Sequence, residues 1–196
     1  MISRSQILTD LRVRYREPQR HYHTLEHVAE LLLLLEQLRE HVAQPERLEW
    51  AIWFHDAVYD PTRRDNEQKS AELARSALTE HGLAADDVAA VAALVQATAG
   101  HQWTDGQADS ALFLDLDLSI LGAQPERYDA YVAQVRAEYA FVPEATFREK
   151  RGALLEGWLA RPQLYFSELG RARFEQAARS NIARELTGDV ASAVTT

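Results

Sequence analysis

Phe113-Leu114-Asp115-Leu116-Asp117-Leu118-Ser119-Ile120 is the stretch whose reading decides the fold class. Leu114, Leu116, Leu118 and Ile120 alternate with Asp115, Asp117 and Ser119, which is the period of a half-buried strand. No other segment offers a strand to pair with it. The stretch is therefore read as part of a helix, about Asp109 to Leu121, that stops at Gly122, and the chain is read as all-α.

The flanking sequence carries helical punctuation in both directions. Upstream, a helix over about Asp86 to Ala99 stops at Gly100 and one over about Asn66 to His81 stops at Gly82, each with glycine where a left-handed cap costs least. Pro45 opens a helix that carries Trp50, Ile52, Trp53 and Phe54 into a charged, turn-rich loop, Tyr59 to Asp65. Before it lie helices over about Thr24 to Val42 and Ser5 to Arg16. The latter places Ile7, Leu8, Leu11 and Tyr15 on one stripe and is ended by Pro18. Downstream, Pro125 and Pro143 sit at first-turn positions of two further helices. A last helix, about Arg171 to Leu186, precedes Gly188, and the end of the chain is expected to fray.

Composition narrows the class. At 196 residues the chain has the length of one domain, with enough core to need no staple. Lys and Arg number 21 against 30 Asp and Glu, a net charge of −9, so no basic field exists to hold a nucleic-acid backbone or an anionic bilayer. The longest apolar run, Val88 to Val95, is far short of the roughly 20 residues a membrane span needs, and MISRSQ is unlike a signal peptide. A cytoplasmic location is expected. With no cysteine, any metal must be held by imidazole and carboxylate.

Several polar residues stand where only shared chemistry explains them. His23 and His27 are four apart and, if helical geometry holds there, project from one face. His55 and Asp56 end the apolar stretch Trp50 to Phe54, which drives both inward, and buried polar groups need partners. Asp115 and Asp117 lie inside the apolar stretch Ala111 to Leu121. They differ by about 200° on a helix, so only one is expected to face the same pocket. His101 follows the small residues Ala97 to Gly100 at a helix end, within reach of a ligand. Together these make a His₂Asp₂ site suited to Zn, Mn, Fe, Co, Ni or Mg more than to Ca.

The order His27, His55-Asp56, later Asp resembles the HD superfamily of metal-dependent phosphohydrolases. The segments RHYHTLEHV, WFHDAVYD, NEQKSA, ATAGHQ, FLDLDLSILG, VRAEYAFV and ARSNIAREL look like a small bacterial family of HD-type hydrolases over nearly the whole chain. The resemblance implies a single HD-type helical domain over 1–196. YHTLEH is also similar to a stretch of cyclic-nucleotide phosphodiesterases, which implies that His23 protonates the leaving oxygen and His27 binds metal. Their Asp-Leu-Ser context implies Asp117 as the last ligand, with Asp115 second. Val58-Tyr59 stand where those enzymes have a further histidine.

The implied reaction is hydrolysis of a phosphate ester, a nucleotide or another small phosphorylated metabolite, by water on a divalent ion bound to His27, His55, Asp56 and Asp117. Arg20, Arg63, Arg64 and Lys69 are the candidate phosphate-binding cations, with His101 in the pocket wall. Glu67 opens a helix and is a candidate for orienting the water or supporting a ligand histidine. Two other readings stay open: an HD-type di-iron oxygenase, and a metal-stabilised binding module without turnover. The expected partner is a small phosphorylated substrate, with no nucleic-acid polymer and no membrane, and a homo-oligomer stays open. Arg136, Glu138 and Tyr139 read as a helix-face network.

Overall fold

A computed structural model of the chain describes residues 1–104 and 106–190. The expected fraying at the chain end concerns residues 191–196, outside the described residues. Among the described residues there are nine α-helices and no strand: α1 Arg4–Arg14, α2 Leu25–Gln37, α3 Pro45–Phe54, α4 Asn66–His81, α5 Ala85–Ala97, α6 Ala108–Asp117, α7 Pro125–Glu138, α8 Glu144–Leu159 and α9 Glu168–Thr187. No described helix is long and apolar enough to cross a membrane. The chain comprises two compact units, Met1–Leu114 and a second beginning at Asp115, with the border inside α6.

In the first unit, Ser3 and Gln6 form a reciprocal cap at the start of α1, and Ile7, Leu11 and Tyr15 form its buried stripe. The Tyr15 hydroxyl donates a hydrogen bond to the carbonyl of Trp53 at 3.1 Å, which ties α1 to α3. Thr24 caps α2, whose inward face is His27, Val28, Leu31 and Leu35. Leu48, Ala51, Ile52 and Phe54 of α3 are almost wholly buried. Helices α4 and α5 pack as an antiparallel pair beside α3, and the buried Ala71, Ala74 and Ala92 let their backbones approach. The loop after α3 is pinned to α4: Val58 N–H donates to Ser70 Oγ, which donates back to Val58 O, and Asn66 closes on both backbone groups of Asp60.

In the second unit, α9 lies against the turn that follows α6. Tyr165 donates to the carbonyl of Leu118, and Asn181 donates to those of Leu121 and Ala123. With its last carbonyls taken by side chains, the segment tightens into a 3₁₀ turn, Leu118–Gly122, and the α-helix ends at Asp117, short of the expected Leu121. Gly122 does not take the left-handed cap expected of it. It is small because the backbone of Phe174 lies where its Cβ would be. Glu185 of α9 joins α7 to α8, accepting from Tyr128 and, at two oxygens, from the half-buried Arg151.

Other boundaries shift for local reasons. The end of α2 gives way at Leu38 to a 3₁₀ turn, Arg39–His41, before the expected Val42. Pro143 is the residue before α8, with extended backbone, where a first-turn position was expected. Ser167 caps α9 by accepting from the N–H of Gly170, so α9 starts at Glu168 and not Arg171. Gly82 and Gly188 do adopt the left-handed cap.

At Gly170 a Cβ would collide with the Asp115 carboxylate. Gly170→Ala is expected to cost about 1–3 kcal/mol of overpacking, read as a drop in the thermal midpoint. An unchanged midpoint would show that the close approach is not required.

Candidate metal centre

His27 occupies the first turn of α2, and His55 and Asp56 follow directly on α3. Both imidazoles are almost wholly buried. The Nδ1–H of His55 donates to the carbonyl of Ile52 at 2.8 Å, an atom that can only accept, so in the neutral ring Nε2 carries the lone pair. That nitrogen lies 3.1 Å from His27 Nε2 and 2.9 Å from Asp56 Oδ2. The far side of His27 is held in turn, with the Tyr22 hydroxyl 3.1 Å from its Nδ1.

A lone pair facing a carboxylate oxygen and a second imidazole nitrogen in a dry interior is costly unless a cation or a proton lies between them. Spacings of about 3 Å are also those of neighbouring ligands around an octahedral ion with bonds near 2.1 Å. The donor set therefore fits a divalent metal. In the first unit, His27 and His55 are among the side chains that could hold a metal ion, and Asp56 meets them through His55.

Asp115 of α6 has a task within the fold itself. Asp115 is fully buried and accepts from the N–H groups of Phe166 and Ser167 and from the Ser167 hydroxyl, at 2.6–2.8 Å. Burial pushes its carboxyl above the usual range, against the pull of these donors. It anchors the start of α9, which accounts for a buried acid in an apolar stretch without any metal.

His23 lies just before the α2 cap, where Thr24 is extended, so it does not share a helical face with His27 as the spacing suggested. Its half-buried ring instead stacks on Tyr59 with centroids 4.2 Å apart, edge-on to Tyr22, and 6.2 Å from the His27 ring. Tyr22 and Tyr59 were not foreseen as site residues, because the irregular segments that carry them give no periodic signal.

Arg20, expected to bind phosphate, has a buried guanidinium spent on Glu17 and on the carbonyls of His23, Asp56 and Ala57. Lys69 is half-exposed and pairs with Glu72. Arg63 pairs with Asp65 and holds that carboxyl below its usual range. Glu67 stands in the first turn of α4, as expected. His101 follows α5 in the left-handed region, φ 47°, and is not in the group of possible ligands. Arg136 donates to Tyr139 O and Val142 O and pairs with Glu144, a helix-end network.

A family model described as HD domain matches residues 24–123, just over half of the chain, from the cap of α2 to the turn after α6. No curated protein and no solved structure matches the chain.

If a cation binds here, adding Mn²⁺ or Co²⁺ at about 100 times its dissociation constant should stabilise the fold by about 2.7 kcal/mol, read as an upward shift of the melting curve. His55→Ala should abolish that shift. Asp117→Asn should remove bound metal, and Asp115→Asn should lower the metal-free midpoint and keep the metal. Elemental analysis and melting curves decide, and greater metal loss from Asp115→Asn would exchange the two assignments.

Proposed function

The chain belongs to the HD-domain family, whose members are in general metal-dependent phosphohydrolases, and from that premise we propose that it hydrolyses a phosphate ester of a small metabolite or nucleotide. The observation that carries this reading is the convergence of His55 Nε2, His27 Nε2 and Asp56 Oδ2 at two buried imidazoles. The metal ligands are then His27, His55, Asp56 and Asp117. A bound divalent ion supplies a water of lowered pKa and polarises a phosphoryl oxygen.

The side chains around it divide the remaining work. Ile52 O and Tyr22 fix the ring orientations, so that both Nε2 atoms are presented as ligands. The water oxygen ends on phosphorus, the ester P–O bond breaks, and the departing oxygen needs a proton. His23 is the donor: it is next to the ligand set without belonging to the ligand group, and its imidazole is held by the Tyr59 stack. A positioned acid of this kind contributes roughly 10²–10⁴ in rate. Glu67 and Lys69, in the first turn of α4 beyond the pinned loop, are assigned to orienting the water and holding substrate phosphate, and His101 to the pocket wall.

The test is a panel of phosphate mono- and diesters assayed on metal-loaded protein. Turnover of at least one class that disappears in His55→Ala supports the reading. No turnover with bound metal, or oxygen consumption with a reduced iron-loaded protein, overturns it. His23→Ala should keep its metal and lose about 10²-fold or more on alkyl phosphates, but much less on p-nitrophenyl phosphate, whose phenolate leaves without a proton. Equal losses on both substrates would remove His23 from the acid role.

A further inference from the structure

Four of the five N–H donors of Arg20 are committed to the protein itself. Nε donates to Glu17 Oε2 at 3.1 Å, Nη1 to the carbonyls of His23 at 3.1 Å and Asp56 at 2.7 Å, and Nη2 to that of Ala57 at 3.3 Å. Its side chain has no exposed surface, and its guanidinium lies between the rings of Tyr15 and Tyr59, at 5.0 and 5.4 Å from their centroids. Tyr59 in turn stacks on His23. One side chain thus holds the backbone at both His23 and Asp56, 33 residues apart in sequence, and supports the ring against which the His23 imidazole rests.

Helix geometry does none of this. Residues 15–24 join α1 to α2 without a helix of their own, and residues 55–65 join α3 to α4 in the same way. The place of His23 relative to the His55-Asp56 turn therefore depends on the contacts between these two loops, and the Arg20 fork supplies two of them, to Asp56 O and Ala57 O, while a third bond holds His23 O in its own loop. The Gln19 amide adds one more, donating to Tyr59 O at 3.2 Å. Any buried guanidinium needs acceptors for its N–H groups, but they could all come from one neighbouring segment. Three carbonyls from two loops are what a part that sets register would take.

We propose that Arg20 is a positioning residue, which locks the His23 segment and the His55-Asp56 turn in one register, so that proton donor and metal ligands keep a fixed separation. This rests on the hydrolytic reading for its kinetic part only. Lysine keeps the charge but offers three donors from one point, so it cannot reach all three carbonyls as a planar fork does.

Arg20→Lys and Arg20→Gln are compared with the wild type by melting curve, by Mn²⁺ or Co²⁺ titration, and by kcat and KM on an alkyl phosphate and on p-nitrophenyl phosphate. The expected result for Arg20→Lys is a cooperative melt and metal affinity lowered at least tenfold. Its kcat should fall at least tenfold more on the alkyl ester than on the nitrophenyl ester, with KM changed less than threefold. Wild-type metal affinity and wild-type kcat ratio in either folded variant would overturn the proposal. A raised KM at unchanged kcat would too, since that is the signature of a phosphate contact. Loss of cooperative folding in both variants would overturn it as well, by assigning Arg20 to the fold alone. If the wild type cleaves no phosphate ester, the hydrolytic reading fails and the metal titration still decides the role of Arg20.

Discussion

His55 Nε2 presents a lone pair to a carboxylate oxygen and a second imidazole nitrogen at hydrogen-bond distance. Such a set is stable in a dry interior only around a positive charge. Much of the first unit serves to enforce it. The apolar run Trp50 to Phe54 buries the end of α3 and carries His55 inward with it. The Ile52 carbonyl then fixes which nitrogen points at the ligands, and the Thr24 cap starts α2 so that His27 falls in its first turn. Ser70 and Asn66 hold the loop beyond Asp56 to α4, which limits the freedom of the carboxylate. Each of these bonds is ordinary by itself. Their joint effect is to keep three electron-rich atoms together that repel one another without an ion, a cost that the free energy of binding must exceed.

How much of this could be read from the sequence depends on whether a residue lies in a helix or between helices. The helix class, the span of α4 to the residue and the start of α3 at Pro45 follow from periodicity and from Gly and Pro, which act locally. His55-Asp56 was legible because a polar pair after five apolar residues has no cheap explanation other than a shared partner. Arg20, Tyr22 and Tyr59 were not legible in their roles. They sit in connecting segments, where direction is set by contacts outside any helical repeat, for Arg20 and Tyr59 to residues 36 to 37 positions away, and an arginine beside histidines in a linear sequence looks like a phosphate ligand. Only the carbonyls of Asp56 and Ala57 show that its donors are already taken. The spacing of His23 and His27 misled in the same way, since a helical repeat holds only after the cap at Thr24.

The end of α6 shows how two identical side chains, two residues apart, come to different fates. Along a helix they differ in direction by about 200°, so one environment cannot serve both. Asp115 meets the N–H groups of Phe166 and Ser167 at the start of α9, a cluster of donors that compensates a carboxylate without any ion. Gly170 makes room for it, and any larger residue there would displace the carboxylate. An acid already satisfied by backbone donors gains little from a cation, so Asp115 is the weaker metal ligand of the two, and that weakness follows from its donor cradle independently of any sequence motif around it.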